Sequence, residues 1–244
     1  DMEIKLAYFD HCFIQRDTLD TSDVVNGGAE LFLYQSGYLT IKGYDDGVYI
    51  LGFPNFEVRK ALYRVVVPAL TMKSNSEVVS AQSVLRKMMQ DGNTAEAKKA
   101  LKALIADVPY SNKKMASMDM EERYRLIMST IFRALGFRVE VERMLATGRI
   151  EMIGEVPSSI YVLELKLSNN GGISAAVNQM KEKSYTEPFK ADKRKVIALA
   201  VELDETGKGL IDWKEVDESL LITKRSIFRS DGFAIHRLKM PQPL

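Results

Sequence analysis

The sequence predicts an α/β (α+β) fold, a mixed sheet flanked by helices, preceded by a winged-helix-like module and a helical hairpin. Three observations carry this prediction. The segment IYVLELKL alternates so that Tyr161, Leu163, Leu165 and Leu167 share one apolar face. The run VIALAV at 196–201 is apolar at every position, as a strand buried on both faces requires. A helical stretch lies between these two, so the second strand returns parallel to the first through a helical crossover.

The elements follow in order. AELFLYQS, within 27–36, reads as a short helix, and two β-rich runs at 38–42 and 48–52 bracket the turn GYDDG as a hairpin. Pro54 and Asn55 punctuate the chain before FEVRKALYRVVV, which has helical spacing. Helix, hairpin and helix together give the winged-helix-like module, 1–75. SEVVSAQSVLRKMMQ and TAEAKKALKALIADV then form a helical hairpin, 76–112, around Asp91, Gly92 and Asn93, with Thr94 placed as N-cap of its second helix. Pro109, Ser111, Asn112, Lys113 and Lys114 are the most linker-like stretch, and the main boundary falls there. From 113 to 218 the order is α, β, β, β, α, β: a helix at 119–135, strands at 137–142, 149–154 and 160–167, the crossover helix, and VIALAV. NNGG at 169–172 reads as the turn into that helix. Residues 219–244 are unassigned.

Bulk composition excludes several classes. The chain has 244 residues, 46% hydrophobic, with 34 Lys and Arg against 33 Asp and Glu, so any nucleic-acid site must be a local patch rather than a global basic field. A single cysteine, Cys12, excludes a disulfide scaffold, and neither a leader nor an apolar run of about eighteen residues is present, so a cytoplasmic protein without membrane contact is expected. His11 and Cys12 have no neighbouring partners for a zinc-type set. No G-x-x-x-x-G-K-[ST] occurs, so ATP binding through a P-loop is not expected.

The chemistry concentrates in GRIEMIGEVPSSIYVLELKL. Glu164 and Lys166 share the face opposite the leucines, at the carboxy end of their strand. The preceding strand pairs with it antiparallel across VPSS. If that register sums to an odd number, Glu151 lies on the same face as Glu164, at roughly 5 Å directly across or roughly 7 Å diagonally. Two such anions repel and call for a cation, for which Mg²⁺ or Mn²⁺ with oxygen ligands is suited. Lys166 would then orient a water or offset charge developing on a phosphoryl group. Alone, an E-x-K on a strand is an ordinary surface ion pair; its context distinguishes this one.

These residues resemble the PD-(D/E)XK nuclease domain found at the carboxy end of a bacterial group of AAA-ATPase-like proteins. The resemblance covers about half of the chain closely and rests on Glu121, GRIE ending at Glu151, the ELK of Glu164 to Lys166, and AVNQMKEKSYTEPF with Gln179 and Tyr185. LFLYQSGYLTIKGY and YILGFPNFEVRKAL are similar to the segment that follows the ATPase-like core in those proteins. The resemblance implies a restriction-endonuclease-like fold and a metal-dependent phosphodiesterase acting on nucleic acid, DNA ahead of RNA, with possible contact to an ATPase-like domain. It implies catalytic roles for Glu151, Glu164, Lys166 and Gln179, and a Mg²⁺ or Mn²⁺ ion held by Glu151, Glu164, the carbonyl of Leu165 and, through water, Glu121. Glu121 also stands beside Glu122 in a first helical turn, where the helix dipole favours acids whatever their function. Gln179 and Tyr185 either line the cleft or, as suits Tyr185 better, pack against the sheet. The family pattern has Asp after GRI. The extra methylene of Glu151 shifts its carboxylate by roughly an ångström, on which phosphoryl-transfer geometry depends. The alternative reading is a module that keeps the nuclease fold but not the chemistry, and binds nucleic acid or a protein partner.

Overall fold

The computed structural model describes residues 6–21, 27–106 and 119–217. The linker expected around Pro109 and the unassigned segment 219–244 lie outside these residues. The first part is a three-stranded antiparallel sheet, order β1-β3-β2, from β1 (Cys12–Gln15), β2 (Thr40–Asp45) and β3 (Val48–Gly52). A short α1 (Arg16–Leu19) and α2 (Gly28–Gln35) precede the expected hairpin, and α3 (Phe56–Thr71) follows it. Strand β1 did not stand out in the sequence, because four residues carry too little alternation to separate them from the turns on either side. Cys12 and Ile14 nevertheless face inward and are buried.

The helical hairpin is α4 (Asn75–Gln90) and α5 (Thr94–Ile105). A reciprocal Ser74–Glu77 capping box opens α4. The cap of α5 corrects the sequence expectation: Asn93, not Thr94, accepts the backbone N–H of Glu96 at 3.2 Å. Thr94 is the first helical residue, and its hydroxyl donates instead to Glu215 at 2.8 Å.

Beyond it lies a mixed α+β unit of restriction-endonuclease-like layout: α6 (Met120–Leu135), β4 (Arg138–Leu145), β5 (Gly148–Glu155), β6 (Ser159–Leu167), α7 (Gly172–Lys183), β7 (Lys195–Leu203) and β8 (Leu210–Glu215). The sheet order is β4-β5-β6-β7-β8. Strands β6 and β7 are parallel across the α7 crossover, and every other pair is antiparallel. The two faces of β6 divide as its alternation predicts. Tyr161, Leu163 and Leu165 pack into the core that includes Ile127 and Ile131 of α6, while Ile160 and Val162 join Ala176 and Met180 of α7. Strand β8 escaped the sequence reading because LIDWKE mixes charged and apolar residues; Leu210 and Trp213 are its buried positions.

The amino-terminal elements are not a detached appendage. One hydrophobic cluster runs from Phe9 and Cys12 through Leu85 and Leu101 to Trp213. Helix α3 packs on α6, with the Arg133 guanidinium 5.6 Å from the centre of the Tyr63 ring. The Trp213 indole donates to the Thr94 carbonyl at 3.1 Å, and the Tyr161 hydroxyl donates to the carbonyl of Met89. The hairpin therefore braces the sheet that carries the candidate site. Leu163 is fully buried in this shared core. Leu163→Ala is expected to cost about 2–5 kcal/mol of stability, measured by urea unfolding; a cost below about 1 kcal/mol would contradict a continuous core. Among the described residues no helix is long and apolar enough to cross a membrane.

Candidate active site

Sheet topology assembles the acidic cluster. Strands β5 and β6 pair from Glu155–Ile160 to Met152–Leu163, a register with an odd sum, and the ladder ends there. One further step of the same register would set Glu151 opposite Glu164, just past the last paired residues, where the strands part. β6 meanwhile remains paired with β7 as far as Leu167–Leu203. The neighbouring strand also breaks at this level: Glu142 on β4 has φ 54°, a left-handed conformation that is rare for a residue with a side chain. Unusual backbone of this kind costs energy and concentrates at functional sites. Helix α6 closes the cluster from the other side. Asp119 caps it by accepting the Glu122 N–H at 2.8 Å, which sets Glu121 in the first turn.

Glu164 is fully buried, and the Lys166 Nζ lies 2.9 Å from its Oε1. Lys166 therefore pairs with one carboxylate oxygen, while the other, Oε2, has no hydrogen-bond partner among the described residues. Burial pushes the Glu164 carboxyl up to about 7; Lys166 opposes the shift, and Glu151 and Glu121 add to it. Burial works against the Lys166 ammonium, but Glu164, Glu121 and Glu151 outweigh it and leave its pKa above the usual value. Glu121 is likewise raised, by burial first and then by Glu151 and Asp119, with Lys166 opposing. These mutual influences place Glu121, Glu151, Glu164 and Lys166 in one electrostatic neighbourhood.

Glu151 has a different environment. It is 3% exposed, and each of its oxygens meets an arginine: Oε2 lies 2.5 Å from Arg125 of α6 and Oε1 lies 3.2 Å from Arg149 of its own strand. The same arginines hold Glu142 at 3.2 and 2.9 Å. The sequence reading missed both. Arg149 precedes Glu151 by two on the same strand face, a spacing that could have found it; Arg125 shares a helix face with Glu121, but no spacing links it to Glu151. A cleft of about 400 Å³ opens over this network, lined among others by Asp119, Glu121, Glu122, Arg125, Glu142 and Arg149.

Gln179, on α7, reaches the cluster only through Tyr185. Its amide donates to the Tyr185 hydroxyl at 2.9 Å, and that hydroxyl donates to the main-chain carbonyl of Arg149 at 2.7 Å. Tyr185 is fully buried, in keeping with the packing role expected for it. The Leu165 side chain is buried in the α6-side core.

Among the described residues, no three His, Cys, Asp or Glu side chains stand grouped as a metal site. The chemistry of the donors nonetheless suits a hard divalent cation. Glu164 presents one buried oxygen, Oε2, without a hydrogen-bond partner, and the neighbouring candidates are carboxylates too. The oxygens of Glu151 are the ones already engaged.

Comparison with known proteins agrees with this layout. Residues 119–213 match the family profile described as the PD-(D/E)XK nuclease superfamily. That segment runs from the cap of α6 into β8 and contains all of the candidate-site residues. A curated relative, the "Uncharacterized protein in vnfD 5'region" of Azotobacter chroococcum mcd 1, is 26% identical over 216 residues, covering 83% of this chain. The chain spans 40% of that relative's length. No solved structure matches.

Proposed function

We propose that the protein is a metal-dependent phosphodiesterase that cleaves nucleic acid, DNA ahead of RNA, through Glu151, Glu164 and Lys166. The observation that carries this reading is Glu164, a fully buried carboxylate with one oxygen paired to Lys166 and the other, Oε2, lacking a hydrogen-bond partner, at the point where β5 and β6 part. A buried carboxylate oxygen without a partner is costly, and a bound cation would offset that cost. The match of 119–213 to a nuclease superfamily supports the reaction class, and nucleases of that superfamily usually use divalent metals.

In this reading Glu151, Glu164 and the carbonyl of Leu165 would hold Mg²⁺ or Mn²⁺, with Glu121 supporting the ion through water. Such an ion, when bound, polarises a phosphoryl oxygen and makes a water more acidic. Lys166 positions that water and offsets negative charge developing on the phosphate. Gln179 acts as a positioning residue, through Tyr185, on the main chain of Arg149. The protein is further proposed to work in the cytoplasm, in contact with an ATPase-like region.

Calorimetric titration with Mn²⁺ tests the site. Saturable uptake by the parent that Glu164→Ala abolishes is expected, with folding of both checked by circular dichroism. Uptake that is unchanged in Glu164→Ala would remove Glu164 from the site and with it this mechanism. The absence of uptake in the parent would favour the alternative, a nuclease-fold module without the chemistry, for which the double arginine engagement of Glu151 is the specific observation.

A further inference from the structure

The two arginines on Glu151 pose a problem that the proposed mechanism leaves open. A cation bound by Glu151 needs oxygens that Arg125 and Arg149 now hold at 2.5 and 3.2 Å. The same two guanidiniums also hold Glu142, so releasing Glu151 to a cation requires another acceptor for the arginine donors that now face it.

A phosphodiester supplies that acceptor, because guanidinium groups bind phosphate oxygens in the same forked geometry that they use for carboxylates. Arg125 and Arg149 both line the cleft above Glu151, so a backbone phosphate lying in that cleft meets them. Arg149 is 45% exposed in its side chain and is the freer of the two to move; Arg125, at 14%, is held more firmly.

Building on the nuclease reading, we infer that Arg125 and Arg149 form an exchange latch. They hold Glu151 when the cleft contains no nucleic acid, and they transfer to the phosphate backbone when it enters, releasing Glu151 to the cation. Nucleic acid and divalent cation therefore bind synergistically, and by linkage each tightens the other by the same factor. Glu142, which contacts both guanidiniums, positions them between the two arrangements.

The test measures free Mn²⁺ by electron paramagnetic resonance during titration of the full chain, with and without a short phosphorothioate oligodeoxynucleotide that resists cleavage. In the parent, Mn²⁺ affinity is expected to rise about tenfold or more when the oligonucleotide is present. Arg149→Gln is expected to bind Mn²⁺ more tightly than the parent when no oligonucleotide is present, and to lose most of the coupling, while Arg149→Lys retains part of it. Affinity in the parent that is indifferent to the oligonucleotide, or coupling in Arg149→Gln equal to that of the parent, would overturn the latch while leaving the metal site standing. A parent that takes up no Mn²⁺ under either condition would contradict the metal site itself, and the latch with it.

Discussion

Lys166→Ala is expected to lower metal-dependent cleavage by about 10²–10³-fold, the usual loss when one group that stabilises transition-state charge is removed. Mn²⁺ uptake should persist in this variant, because Lys166 is not among the proposed ligands. Structural damage would not produce that split. The lysine is only 17% exposed in its side chain and lies 2.9 Å from Glu164, so its ammonium is directed at the cluster rather than at solvent. A purely structural ion pair predicts a different outcome, in which the variant loses stability and cation binding together and retains no specific kinetic defect. Single-turnover cleavage beside calorimetric Mn²⁺ titration separates the two.

Glu164→Gln should produce the largest change in how stability depends on pH. In the cation-free protein the Glu164 carboxyl titrates at about 7, against 4.5 for an ordinary glutamate. Between those values the folded protein holds a proton that the unfolded chain has released. Unfolding therefore becomes easier as pH rises through this window, and the penalty reaches its full size above about 7. Its scale is roughly 3 kcal/mol. Glutamine removes this group from the titration, so the variant should match or exceed the parent's stability at pH 8 in EDTA and lose this contribution to the slope. Divalent cation should restore stability to the parent at pH 8 and leave the variant unmoved. Urea unfolding at pH 5 and pH 8 reads both effects; a parent whose stability rises between those pH values in EDTA would contradict the burial assigned to Glu164.

The parts legible in the sequence were those in which periodicity and burial agree. The alternation of β6, the wholly apolar run 196–201 within β7 and the turn VPSS located the sheet centre, and of the two registers the sequence left open between β5 and β6 the strands adopt the odd one. Short or mixed strands were not legible: β1 has four residues, and β8 carries Asp212, Lys214 and Glu215 among its apolar positions. The cap of α5 turned on which of two adjacent good capping residues was free, and contact of Thr94 with Glu215 decided it. The candidate carboxylates and lysine could be named from spacing, but the state of Glu151 could not. Arg125 comes from a helix that precedes Glu151 by 26 residues, and only the packing of α6 beside β5 brings its guanidinium to the carboxylate. The longer reach of glutamate, where the resembling pattern has aspartate, is also what the sequence offers for comparison with this double engagement. No rule of spacing gives its consequence.

The most direct test is cleavage of a panel of labelled single- and double-stranded DNA and RNA by the parent, in Mg²⁺ or Mn²⁺ and in EDTA, with Glu164→Ala purified in parallel. Cutting of at least one nucleic acid by the parent with metal, and by neither protein in EDTA nor by the variant under any condition, is the expected result. Equal cutting by parent and variant, or no cutting of any member of the panel by the parent, would contradict the assignment of a metal-dependent nuclease to this site.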